Sequence, residues 1–186
     1  MSIRDTRREA AIERMADHVL REGLAGATLR PMAAAAGTSD RMLLYYFADK
    51  DEVLAETLTR IAHRLTAMLD AAMPPGTRLP YYDLLVTLWA ATGTDMLRPY
   101  MSIWIELAGA AARGMQPHAA IAHAIMSGFA AWAADHLDAP EAGRDAQAAL
   151  LIGTLDGLLL LAAAGRRDLA ELALTARPPE TGTPQR

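Results

Sequence analysis

The sequence predicts an all-α protein, and three observations carry that reading. Apolar residues recur every three or four positions in one segment after another, the spacing of a single helix face. Glycine or proline stands between those segments, where breakers belong. No run alternates apolar and polar residues over a useful length, and the chain is alanine-rich, with 52% hydrophobic residues. Its 186 residues suffice for a small module followed by a larger one.

The first helix places Ile12, Met15, Ala16, Val19 and Leu20 on one face, and Gly23 can end it. Thr28 is an N-cap residue type for a helix starting at Leu29. Pro31 then falls in the first turn, where its missing N–H is tolerated. Leu29, Met32, Ala33 and Ala36 form the apolar face of this short helix, and Gly37 sits where a left-handed residue ends it. Ser39 caps the next helix, whose Leu43 and Phe47 point inward while Asp40, Arg41, Leu44 and Tyr45 are left outside. Asp49 and Glu52 have capping-box spacing for a third helix. Two short helices joined by a tight glycine turn make a helix-turn-helix, whose second helix can lie in a DNA major groove.

Leu54, Leu58, Ile61, Leu65 and Met68 step by four and three, so one long helix is expected over 50–72, linking this module to the rest. The stretch Met73 to Pro80 breaks it as a loop. Further helices are expected near 81–94, 97–113, 117–137, 143–164 and 167–175. Pro99 suits a first turn, and Gly114, Pro117, Pro140 and Gly143 punctuate the others. The tail from Arg177 holds three prolines and is expected to be disordered. The organisation is therefore a three-helix module at 1–48, a helical domain at 49–176 and a tail at 177–186.

Ala148 to Gly165 is nearly all apolar, which fits either a membrane span or a helix buried on several sides. Asp156 near its middle opposes the span, at a cost of about 3 kcal/mol at a bilayer centre. Ala149, Gly153 and Gly157 are spaced by four and make a stripe where another helix can come close.

There is no cysteine, which excludes disulfides and thiolate metal sites. The N-terminal stretch is charged with no apolar core behind it, unlike a secretory signal, so the cytoplasm is the expected compartment. Net charge is −4, an unexpected sign for a nucleic-acid binder. Residues 1–50 hold eight basic and seven acidic side chains, +1, and the remainder ten and fifteen, −5. Affinity for DNA must then come from a few placed groups and from dimerisation. Lys50, the sole lysine, sits at a helix N-terminus, where the dipole disfavours a cation and a nearby phosphate compensates.

Gly37, Thr38 and Ser39, followed by Leu43, Tyr46, Phe47 and Lys50, resemble the signature of the TetR family of one-component regulators over about the first 55 residues. Arg41 stands where that family often has glycine, Leu44 where it often has a phosphate-contacting tyrosine, and Pro31 where it usually has an acidic or polar residue. The resemblance implies a homodimeric transcriptional regulator, a repressor, that binds a near-palindromic operator and is released by a small molecule in its C-terminal domain. It assigns DNA contact to Thr28, Arg30, Thr38, Ser39, Asp40, Arg41, Met42, Leu44, Tyr45, Tyr46 and Lys50. It also implies a four-helix bundle across a two-fold axis. Ala149, Gly153, Gly157 and Leu161 on one helix, with Ile121, Ile125, Phe129 and Trp132 on its neighbour, are the expected interface.

Other chemistry is sparse. His118 and His123 are five apart, about 140° around a helix, and make a poor metal pair. No zincin, phosphate-loop or nucleophile-elbow motif occurs, so neither metal nor cofactor is expected. Trp89, Met96, Tyr100, Met101 and Trp104 can line an adaptable cavity, or ordinary core. Glu106, among apolar neighbours, is a ligand contact or a solvated charge. The alternative function, a small all-α enzyme or carrier, would use Glu106 in an apolar pocket.

Overall fold

The computed structural model describes residues 3–73 and 76–176. The expected tail at 177–186 lies outside them. The described residues form α1 (Ile3–Glu22), a 3-10 turn (Leu24–Gly26), α2 (Leu29–Ala35), α3 (Asp40–Tyr46), α4 (Lys50–Ala72), α5 (Tyr81–Thr92), α6 (Arg98–Ala112), α7 (His118–His136), α8 (Arg144–Ala163) and α9 (Arg167–Thr175). No strand occurs among them, only an isolated bridge between Leu79 and Leu137. The protein is all-α.

Local chemistry sets the helix ends. Ser39 Oγ accepts the Met42 N–H at 3.2 Å, which starts α3. Asp49 Oδ1 accepts the Glu52 N–H at 2.8 Å while the Glu52 carboxylate accepts the Ala48 N–H, a reciprocal cap on α4. Thr28 has the extended backbone of an N-cap, but its side chain makes no capping bond. Gly37 takes φ of +71°, the left-handed turn between α2 and α3.

Two apolar clusters organise the molecule. The first joins Ile12, Met15 and Val19 of α1, Met32 of α2, Leu43 of α3 and Phe47 to Leu58 and Ile61 of α4. It extends to Ile103 and Leu107 of α6 and Ile121 of α7, so α1–α3 (the head) share one cluster with the helices behind them (the body). The second holds Leu84 and Leu88 of α5, Trp132 of α7 and Leu151, Leu155 and Leu158 of α8. Tyr100 and Trp104 of α6 pack against both.

Carboxylates and arginines tie α1 to α4. Arg60 binds Glu9 and Glu13, and Arg64 binds Glu13 and, at 2.7 Å, Asp17. The hydrogen bond from Arg64 holds the Glu13 carboxyl below its usual range.

α8 is long and apolar enough, by length and composition, to cross a membrane. Leu151, Ile152, Leu155, Leu158 and Leu159 are buried against the rest of the chain. Its other side is uncovered: Ala146, Leu150, Gly153, Gly157, Leu160 and Ala164 are all exposed. These six step by four and three alternately, the repeat of a coiled-coil seam.

Candidate nucleic-acid interface and ligand cavity

The outer face of α3 is built by elimination. Leu43 and Phe47 are spent on the core, and what remains points to solvent. Met42, Leu44 and Tyr45 are 41%, 42% and 60% exposed, a cluster of large apolar groups open to solvent. Arg41 stands between them, also exposed. Thr28, Arg30, Ser39, Asp40 and Lys50 are exposed too, and Thr38 and Tyr46 are half-buried. Arg30, Arg41 and Lys50 are engaged by no other described side chain. The eleven expected residues lie on α2 and its N-cap, the turn into α3, α3 itself and the first turn of α4.

Sequence reasoning missed Arg4. Its guanidinium donates to the Tyr45 carbonyl at 3.1 Å and lies 5.0 Å from the Tyr45 ring centroid, so α1 adds a cation to the same face. The available signal was the basic run Arg4, Arg7 and Arg8. Arg8 is otherwise occupied, paired with Glu52 and Glu56 and set over the Phe47 ring.

A cavity of about 480 Å³ lies between the two clusters, lined by α4, α5, α6, α7 and α8 and open to solvent on one side. Its size suits a small organic ligand. Tyr100, Met101 and Trp104 line it. Trp89, Met96 and Glu106 do not, and the expectation for these three is corrected. Trp89 is buried in the second cluster with Arg167 over its ring. Met96 is 63% exposed. Glu106 is two residues beyond Trp104, about 200° around α6, and so points the other way. Its Oε2 accepts the Leu24 N–H at 2.8 Å, in the turn that follows α1. The enzyme or carrier alternative loses its pocket acid with that placement. Glu106→Ala is expected to raise hydrogen exchange at the Leu24 amide and to cost about 1 kcal/mol of stability. Unchanged exchange there would remove Glu106 from the joint between body and head.

Four residues expected at a dimer interface turn inward instead. Ile121 and Trp132 are buried, and Ile125, Phe129 and Trp132 line the cavity. Ala149, Gly153 and Gly157 are exposed, and a Cβ built on either glycine meets nothing within 4 Å. Leu161 is half-buried against the second cluster. Leu150 and Leu160, 60% and 59% exposed, complete the open seam. The sequence missed them because a helix apolar all round does not say which side is covered.

Two tryptophan–aspartate pairs frame the cavity. Trp104 Nε1 donates to Asp156 Oδ1 at 3.0 Å, and Trp132 Nε1 to Asp70 Oδ1 at 2.6 Å. The Phe129 and Trp132 rings are parallel, 5.5 Å apart. Burial pushes the Asp156 carboxyl above its usual range, against the pull of the indole N–H. No group of three or more His, Asp or Glu suited to a metal occurs among the described residues.

No family model matches the chain, and no curated protein matches it at a significant level. Solved structures do. A transcriptional regulator from Rhodococcus sp. Rha1 is 25% identical, with 90% of this chain and 91% of that one covered at a TM-score of 0.66. The multidrug-binding protein EbrR, solved with proflavin, is 25% identical over 91% of this chain and 98% of its own, TM-score 0.62. A protein described as a TetR-type transcriptional regulator from Streptomyces avermitilis is 25% identical over 91% and 94%, TM-score 0.62. Head and body together, the chain is a structural relative of the TetR-family transcriptional regulators.

Proposed function

We propose that this protein is a ligand-responsive transcriptional regulator, acting as a repressor, that binds a near-palindromic operator as a homodimer. The observation that carries the reading is the outer face of α3, where Arg41, Met42, Leu44 and Tyr45 are exposed while the inner face is buried. A seven-residue helix reads too few bases to find one site in a genome, so two heads about 34 Å apart are needed. The uncovered seam of α8 supplies a self-complementary surface for the two-fold contact. Residues 1–48 serve as the reading head and 49–176 as the sensing and dimerising domain.

Leu58, His63 and Thr66 of α4 line the cavity, and Arg60 and Arg64 of the same helix grip α1. A ligand that fits the cavity better in one position of α4 shifts the two heads out of register with adjacent grooves. A ligand bound equally in both positions shifts nothing.

Footprinting on the promoter beside the protein's own gene tests the reading. The protein is expected to protect a two-fold symmetric site. Arginine pairs bidentately with guanine O6 and N7, so Arg41→Ala should cost about 1–3 kcal/mol and relax preference at one symmetric position. Lys50→Ala should weaken all sequences alike and lower the salt slope by about one. An equal loss across operator variants for Arg41→Ala would confine Arg41 to the backbone. Absence of any protected site would overturn the regulator.

A further inference from the structure

We infer that the cavity takes a lipophilic organic cation with an aromatic ring, its positive centre facing Asp156 and its ring against the Trp104 indole. The inference rests on the regulator reading for the ligand's role as effector. It rests on the lining of the cavity for the ligand's chemistry.

Three carboxylates, Asp70, Asp135 and Asp156, line the cavity, and neither lysine nor arginine does. His63 is the single lining side chain able to carry a positive charge. Asp70 and Asp135 stand exposed at the cavity's margin, whereas Asp156 is half-buried on α8. Asp156 has a neutral partner, the Trp104 indole, on one oxygen, and no described residue donates to the other. A half-buried carboxylate without a counter-charge is disfavoured by desolvation, and a bound cation would relieve that penalty. An anion would meet the same field with the opposite sign.

The aromatic residues set the second requirement. The Trp104–Asp156 hydrogen bond fixes the Trp104 indole by its N–H edge beside the carboxylate, whereas the Trp132 ring is already stacked on Phe129 at 5.5 Å and on His136 at 4.2 Å. Indole faces attract cations and stack on flat rings. The remaining lining, Leu58, Ile125, Phe129 and Leu159 among it, is apolar and favours a hydrophobic body over a hydrated ion such as ammonium.

Three fluorescent probes of similar size separate charge from hydrophobicity, titrated against the full-length protein without DNA. They are proflavin, a planar cation; N-phenyl-1-naphthylamine, neutral; and 1-anilinonaphthalene-8-sulfonate, an anion on nearly the neutral probe's scaffold. Proflavin is expected to bind at least about tenfold tighter than the neutral probe, and the sulfonate weakest. In Asp156→Asn, which keeps the acceptor for Trp104, proflavin should lose about tenfold while the neutral probe is unchanged. A sulfonate that binds as tightly as proflavin overturns the cation site without any variant. Equal losses of both probes in Asp156→Asn overturn it too, since Asp156 would then act by packing. A protein that ranks the probes as expected yet protects no DNA keeps the cation site and loses the regulator.

Discussion

On the proposed α8 dimer, Gly153→Leu is expected to give a monomer that folds normally, and to cost operator affinity on the order of 10²–10⁴-fold. The protomer gives no reason for harm. A Cβ at Gly153 meets nothing within 4 Å, and the helix gains by replacing a glycine, at up to about 1 kcal/mol. The cost must therefore arise between copies. Gly153 and Gly157 sit at the middle of the seam formed by Ala146, Leu150, Leu160 and Ala164, where the absence of side chains lets two helices approach. A leucine there props them apart. Losing the second half-site contact removes an intramolecular binding event, which is why the loss far exceeds that of one base contact. Light scattering and a gel shift on the same sample check both halves. A variant that dimerises and binds as the parent does would move the interface off α8.

The head was legible in the sequence almost to the residue, because local chemistry decides it. Ser39, Gly37, Asp49 and Glu52 act on neighbours within a few positions, and their effects can be read from spacing. Leu43 and Phe47 follow the helical period into the core. Thr28 shows the limit: its backbone caps α2, yet its hydroxyl makes no capping bond. The body was legible as helices and much less as a site. Glu106 is bound by a backbone N–H 82 residues away, a partner that no side-chain pattern announces. Phe129 and Trp132 belong to a helix with apolar residues on every side, whose periodicity does not say whether it faces a cavity or a second copy. The two indole–aspartate pairs join α6 to α8 and α4 to α7, across 52 and 62 residues, and only the packed helices bring them together.

Phe47→Ala is expected to unfold the head ahead of the body. Phe47 is 2% exposed, at the end of α3, in the same cluster as Ile12, Met15 and Val53. The Arg8 guanidinium lies 4.6 Å from its ring centroid, so the loss also strips a stacked cation. Truncating a buried phenylalanine costs about 3–5 kcal/mol. That is a large share of the roughly 5–15 kcal/mol that holds a domain folded. The second cluster, built on Leu84, Leu88, Leu151 and Leu155, does not contain Phe47 and has no reason to yield with it. The chain carries its own reporters for this difference. Of the three tryptophans, Trp89 and Trp132 belong to the second cluster and Trp104 touches both, so fluorescence reads mainly the body, whereas far-ultraviolet circular dichroism reads every helix. In urea the parent should show coincident transitions by the two probes. Phe47→Ala should lose ellipticity first, with the tryptophan transition little moved, and should bind no operator. Transitions that stay coincident and shift together would mean that Ile103, Leu107 and Ile121 couple head and body into one cooperative unit, and a movable head would then need another hinge.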